Sequence, residues 1–234
     1  MKLNLDPALS KQENFLAGQV VLLDKPLEWT SFDVVKKVRR NIRIKKVGHA
    51  GTLDPLATGL LILCTGKRTK SIEKFMGQEK EYTGSFFLGK TTPTYDLEGE
   101  PEGDADISQI TEEVMREATN AFSGAIQQVP PIHSAIKIAG KRVYQLARKG
   151  EDVKLEPRSV FIREFEITKV ELPTIHFRVV CSKGTYIRSL ANDFGKQLGT
   201  GAYLSSLRRT RIGEFSVEDA YQLTDLIDIL KTLE

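Results

Sequence analysis

Asp54 is the residue whose surroundings best suit it to chemistry. It lies between Leu53 and Pro55 in the run Gly48-His49-Ala50-Gly51-Thr52-Leu53-Asp54-Pro55-Leu56-Ala57-Thr58-Gly59. Glycines permit tight turns and close approach of a ligand. Pro55 fixes its own φ and biases Asp54 toward an extended backbone. A carboxylate held this way is a candidate nucleophile. Asp-Pro is also an ordinary turn dipeptide. What raises Asp54 is its company: a basic helix before it, a buried strand after it, and Arg188 further along. Arg188 falls in the first turn of the helix opened by Gly184-Thr185. An arginine suits the positive end of a helix dipole poorly and calls for a carboxylate partner. If Asp54 is that partner, the pair keeps the carboxylate ionised; otherwise Arg188 is a surface arginine. Tyr82, on the apolar face of its strand, is a core tyrosine by default and otherwise a platform for a nucleobase.

Other chemistries fail on spacing. The run from Gly59 to Thr69 ends in Thr-Gly-Lys-Arg-Thr, but Lys67 is followed by Arg68, so the phosphate-binding loop pattern is broken. His49, His133 and His176 are scattered without metal-ligand spacing, and no G-x-S-x-G elbow occurs. Cys64 and Cys181 sit in apolar runs and read as buried thiols.

Charge adds a partner class. The 234 residues carry 34 Lys and Arg against 31 Asp and Glu, a net charge of +3 that says little alone. Lys36, Lys37, Arg39, Arg40, Arg43, Lys45 and Lys46 form one basic run; Lys137, Lys141, Arg142, Arg148 and Lys149 a second; Arg208, Arg209 and Arg211 a third. Nine acids between Asp96 and Glu117 face one base, Arg116. Any one run reads as a solvated face, but three of them offset by an acidic segment suggest a basic side that attracts a polyanion, commonly nucleic acid. The longest apolar run, Leu60 to Cys64, is far too short to cross a bilayer, and the N-terminus lacks a signal-peptide core, so a cytoplasmic protein is expected.

The elements that must position these residues read as α+β. Residues 1–16 read as a loose leader. Gln19–Leu23 is a short buried strand ending in the turn Asp24-Lys25-Pro26. Thr30 and Asp33 open a helix with the apolar stripe Phe32, Val35, Val38 and Ile42. Lys80–Leu88 alternates as a half-buried strand with Tyr82, Phe86 and Leu88 on one face. Residues 93–106 form an acidic loop, and Ser108 caps a helix carrying Ile110, Val114, Ala118 and Phe122. Residues 125–152 form an irregular basic excursion with a small strand at Ser134–Ile138 and a short helix. Strands follow at 158–171 and 174–181. Next come a helix burying Ile187, Leu190, Ala191, Phe194 and Leu198, a basic strand at 202–212, and a helix near 217–232.

The Asp54 run resembles the active-site motif of bacterial TruB-type tRNA pseudouridine-55 synthases. Asp24-Lys25-Pro26 with Thr30-Ser31, Tyr82, and Cys181-Ser182-Lys183-Gly184-Thr185-Tyr186-Ile187-Arg188 match the family in the same order. The resemblance extends from about Gly18 to Gly213. It implies a pseudouridine synthase fold, a central mixed and mainly antiparallel sheet flanked by helices and loops, with an RNA-gripping insertion near 124–152. By the same resemblance residues 1–17 are a leader, 18–212 the catalytic domain, and 213–234 a short C-terminal segment in place of a complete further RNA-binding domain. Ala50 and Thr52 stand where many relatives have Thr and Ala; both are small.

The implied reaction isomerises one uridine in the T-arm loop of tRNA, with no cofactor or metal. Asp54 matches the catalytic aspartate, Tyr82 the tyrosine stacked on the target base, and Arg188 the arginine paired with the aspartate. His49, Tyr186 and Leu207 fall at positions that contact the RNA or the target nucleotide. The uridine must leave its stack, which gives Tyr82 an aromatic role. Whether Asp54 attacks the sugar, attacks C6 of the base or removes the 2′ proton stays open; action at the sugar is preferred, with Tyr82 as a candidate partner in proton transfer. The basic runs at 36–46 and 137–149 would supply the phosphate contacts. An RNA-binding or tRNA-folding module, or a synthase acting on another uridine, are the competing readings. A monomer is the default.

Overall fold

The computed structural model describes residues 3–132 and 155–233, together with the backbone of two short strands at 137–138 and 141–142. In chain order the first elements are α1 (Lys11–Ala17), β1 (Val20–Lys25), α2 (Ser31–Ile42), β2 (Val47–His49), β3 (Ala57–Thr65), α3 (Ile72–Met76) and β4 (Lys80–Leu88). The middle holds α4 (Glu112–Ala118), β5 (Gly124–Gln128), β6 (Lys137–Ile138), β7 (Lys141–Arg142), β8 (Arg158–Glu171) and β9 (Thr174–Cys181). The last are α5 (Ile187–Gln197), β10 (Ala202–Ile212), β11 (Phe215–Ser216), β12 (Tyr221–Gln222) and α6 (Leu223–Thr232). The chain forms two compact units, one from residues 1–82 and 207–234, the other from 83–206.

In the first unit β1 pairs antiparallel with β3 and parallel with β12. β3 also carries β2 antiparallel and Leu207–Arg209 of β10 parallel. Apolar residues run almost unbroken along β1 and β3 because both faces are covered. On one face Val21, Leu23, Leu61 and Leu63 pack with α2 and α6; on the other Leu22, Leu60 and Ile62 pack with Ala50, Phe75 and Ile212. Thr30 caps α2 through Asp33 in a reciprocal capping box, as the Thr-x-x-Asp spacing predicts. The buried stripe of α2 is Val34, Val35, Val38 and Ile42; Phe32 is not part of it and stands 62% exposed. At the start of the helix Ser31, one position earlier than expected, takes the buried place, and Phe32 beside it faces out.

The leader is not loose throughout. Ser10 and Glu13 cap α1, which inserts Phe15, fully buried, among the core residues of α2 and β3. At the other end α6 places Leu223, Leu226, Ile227 and Leu230 in the same core, so the C-terminal segment belongs structurally to the first unit.

The second unit is built on strands in the order β4-β9-β8-β5, of which β9, β8 and β5 pair antiparallel. Its core is aromatic: Phe86 stacks on Phe177 at 4.3 Å, and Phe165 meets Phe194 of α5 edge-on at 5.3 Å. β4, β8, β9 and β10 have the extents expected from their alternation and from Pro173. Two expectations are corrected here. Thr111, not Ser108, caps α4, whose buried residue is Met115 while Val114 is exposed. Residues 125–128, the expected start of an irregular excursion over 125–152, belong instead to β5, which pairs with β8 from Gly124↔Ile162 to Gln128↔Arg158. Alternation over so few residues is a weak signal that the partner strand makes decisive. Of the small strand expected at Ser134–Ile138, only 137–138 lies among the described residues, as β6 paired with β7; the expected short helix and the basic side chains from Lys137 to Lys149 lie outside them. Helices against mixed, mainly antiparallel strands make this an α+β protein.

Candidate active site

The Asp54 turn is fixed on both sides by residues that come before it in sequence. Ser31, at the start of α2, is buried, and its Oγ accepts from Leu53 N at 2.9 Å and donates to Leu53 O at 3.2 Å. On the far side the Pro55 carbonyl accepts from Glu28 N at 2.9 Å and from Lys25 Nζ at 3.2 Å. The Asp54 carbonyl closes the turn by accepting from Ala57 N at 3.1 Å. Pro55 offers no N–H of its own, so its carbonyl is the group this turn can use as an anchor.

Two buried cations flank the turn. Lys25 is fully buried at the end of β1, and its ammonium donates also to the Pro26 carbonyl at 2.8 Å and the Trp29 carbonyl at 2.6 Å. Three protons meet three carbonyl oxygens, the condition under which a buried ammonium is tolerable. Burial pushes the Lys25 ammonium down to about 8; Asp54 and Asp24 oppose that, and Arg209 adds to it. Arg209, 1% exposed on β10, donates from Nε to the Leu60 carbonyl at 2.8 Å and from a terminal nitrogen to the Gly51 carbonyl at 3.2 Å.

Gly59 is what lets β10 come this close. Its φ is +103°, and a Cβ there would meet the Arg209 carbonyl oxygen at 2.3 Å. The parallel register that follows sets Leu207 opposite Ala57, three residues after Asp54. His49 ends β2 opposite Leu63. Burial, with Arg209 adding to it, pulls its imidazole below the ordinary value. Tyr82 is buried on β4, where the neighbouring Glu81 accepts from Thr210 Oγ1 of β10 at 2.8 Å. In the first unit Asp54 and Leu207 thus lie at the start of β3 and His49 near its other end, opposite Leu63, with Tyr82 on the strand next to β10.

Arg188 and Tyr186 belong to the second unit. Tyr186 is held at the start of α5 by its backbone: its N–H donates to Gln128 Oε1 at 2.8 Å, and its carbonyl accepts from Gln128 Nε2 at 3.1 Å. The carboxylate that the second unit itself supplies to Arg188 is Asp96, at 3.5 Å. A guanidinium N–H of Arg188 also donates to the Thr94 carbonyl at 3.3 Å. Sequence reading did not single out Asp96. It counted among the nine acids of a solvated stretch, and its one local signal was Thr92 and Thr94 nearby, whose hydroxyls donate to its carbonyl.

The third basic run is corrected. Arg208 makes a bidentate pair with Asp24 at 2.6 and 3.0 Å, Arg209 is interior, and Arg211 lies 3.4 Å from Glu79 and 3.8 Å from Glu81. These arginines hold the turn and strands together and do not form an open basic surface. Alternation of strand faces and distant acids decided that, and neither is visible in a local charge count.

Residues 39–187 match the family described as TruB family pseudouridylate synthase (N terminal domain), and residues 188–234 match the tRNA pseudouridylate synthase B C-terminal domain. The chain belongs to the TruB family of pseudouridylate synthases. It is 53% identical over 219 residues to the tRNA pseudouridine synthase B of Flavobacterium johnsoniae, covering 91% of this chain and 96% of that protein. The corresponding Clostridium tetani protein is 49% identical and is covered over 72% of its length. Among solved structures, one chain in the crystal structure of a Cbf5–Nop10–Gar1 complex superposes with a TM-score of 0.73 at 31% identity. That alignment covers 94% of this family member and 56% of the other chain.

Proposed function

We propose that this synthase isomerises uridine 55 in the T-arm loop of tRNA to pseudouridine, with Asp54 acting at the sugar. The observation that carries the proposal is the doubly anchored Asp54 turn beside the buried cations Lys25 and Arg209, in a member of the TruB family. Relatives bearing the name tRNA pseudouridine synthase B, alignable over nine-tenths of the chain, supply the substrate class.

In this reading the target uridine is turned out of its stack and rests on Tyr82. Cleavage of the N1–C1′ bond leaves positive charge at C1′, which the Asp54 carboxylate traps or stabilises. The base turns, C5 bonds to C1′, the C5 hydrogen leaves as a proton, and N1 takes one up, so no net atom is gained or lost. Tyr82 is the candidate partner for the C5 proton. Exclusion of water protects the intermediate from hydrolysis. His49, Tyr186 and Leu207 contact the RNA, and Arg188 assists as the cation that the resemblance assigns to the aspartate. The protein acts as a cytoplasmic monomer without cofactor or metal.

The test is tritium release from tRNA transcript labelled with [5-³H]uridine, with wild type and Asp54→Asn compared. Release by wild type alone, with both proteins binding tRNA, is the expected result. Binding without release by either protein overturns the reading in favour of an RNA-binding module or another substrate. Equal release by both shows that Asp54 is not the essential carboxylate.

A further inference from the structure

Of the three basic runs, the one on α2 is open to solvent among the described residues, and it does not stand alone. Lys36, Lys37 and Arg40 follow Asp33 at helical i, i+3, i+4 and i+7 spacing and so share a face. All three are exposed. With Glu28, Trp29 and Asp33 they line a cleft of about 360 Å³. Asp33 accepts the capping bond from Thr30 Oγ1 at 2.5 Å and keeps its charge, so three cations stand against two exposed carboxylates, Glu28 and Asp33, and the cleft keeps a net positive charge. Next in sequence to the lining residues Glu28 and Asp33 are Leu27, 53% exposed, and Phe32, 62% exposed, the latter one helical turn before Lys36. One exposed apolar residue needs no explanation. An exposed aromatic ring one turn from a lysine pair at a basic cleft combines a stacking surface with phosphate-binding charge.

The backbone adds a second observation. Glu28 has φ +66°, a left-handed conformation that side chains other than Gly and Asn avoid. It is held there by its N–H bond to the Pro55 carbonyl, the same oxygen that Lys25 grips. The turn that shapes the cleft is therefore hydrogen-bonded directly to the turn that carries Asp54.

We infer that this cleft is a nucleotide subsite for RNA outside the reacting uridine, taking a backbone phosphate on Lys36, Lys37 and Arg40 while an unpaired base covers Phe32. The inference rests on the RNA reading above but concerns binding and not chemistry. RNA is favoured over an acidic protein surface because the cations stand beside an exposed ring, and every nucleobase offers a flat face to it.

The experiment measures Kd for unmodified tRNA by filter binding across a salt series, using the full chain. The proteins are wild type, the triple variant Lys36→Ala/Lys37→Ala/Arg40→Ala, and Phe32→Ala, each checked for an unchanged thermal midpoint. The triple variant is expected to bind at least about tenfold more weakly, with the slope of log K against log salt reduced by about 2. Phe32→Ala is expected to weaken binding about fivefold or more with the salt slope unchanged. Unchanged affinity in both variants overturns the subsite and leaves the patch to an acidic partner of another kind. Weakening by the triple variant alone also overturns it, reducing the face to non-specific charge. If the triple variant does not fold, Phe32→Ala alone decides. Because Kd is read without turnover, failure of wild type to release tritium refutes the catalytic reading and leaves this result standing on its own.

Discussion

Arg188 and Asp96 face each other at 3.5 Å in the second unit, with side chains only 4% and 6% exposed. A pair this deep is retained at the cost of dehydrating two charges, and removing one partner is far more damaging than replacing both. The arginine approaches from the first turn of α5 and the aspartate from the turn after Thr94, so the pair fixes where the guanidinium points.

Asp96→Ala should therefore cost about 3–5 kcal/mol of stability, the range for breaking a buried pair. Asp96→Asn, which keeps the shape, should cost less and still lower tritium release. A double-mutant cycle with Arg188→Met, followed by urea unfolding, is expected to show a coupling of at least about 1 kcal/mol. Strict additivity would mean that the two side chains are neighbours without a functional link.

Lys25 links the Asp54 turn to pH. Its folded value of about 8 lies below the ordinary 10.5, so between about 8 and 10.5 the unfolded chain holds more protons than the folded one. Stability from this group then rises with pH across that window. Activity should move the opposite way, because the cation beside Asp54 is lost. The wild-type kcat/KM profile should fall above about pH 8, and Lys25→Met should be slower throughout and lack that limb. A limb of equal midpoint in the variant would assign the titration to another group.

His49 titrates on the acid side. Its folded value lies below 6.5, so as pH falls below 6.5 the unfolded chain takes up the proton first and stability is lost. His49→Asn should lose less stability between pH 7 and pH 5 than wild type does, as read by thermal midpoints at each pH.

Ser31→Ala removes the one side chain that both donates to and accepts from Leu53. The buried Leu53 N–H would lose the hydroxyl to which it donates, a loss of about 1–3 kcal/mol. Ser31→Thr preserves the hydroxyl and should recover kcat more fully than it recovers the thermal midpoint. A Ser31→Ala enzyme with wild-type kcat would show that the Asp54 turn holds its geometry without this anchor.

Gly59→Ala tests the close approach of β10. The added Cβ would have to displace backbone, not a flexible side-chain end, and φ +103° is itself unfavourable for alanine. The expected result is destabilisation above about 3 kcal/mol, or loss of soluble protein, whereas Gly103→Ala, with nothing within 4 Å, should pay only for its φ of +83°.

Much of this protein is written in local pattern. The Thr30–Asp33 cap, the alternation of β4, the break at Pro173 and the glycine-spaced Asp54 run each depend on a few adjacent residues, and the structure keeps all of them. Sequence determined which residue types stand ready for chemistry, because spacing and backbone permission are local properties. Tertiary structure decided their company. It placed Arg209 in the interior and Phe32 outside, made a strand of 124–128 by giving it β8, and chose Asp96 from nine similar acids as a partner for Arg188. Burial, strand partners and ion pairs join residues tens to nearly two hundred positions apart, and the energy of each depends on what excludes water around it. A run of charges reads the same in a list whether it faces solvent or a buried carbonyl; only the packed chain tells them apart.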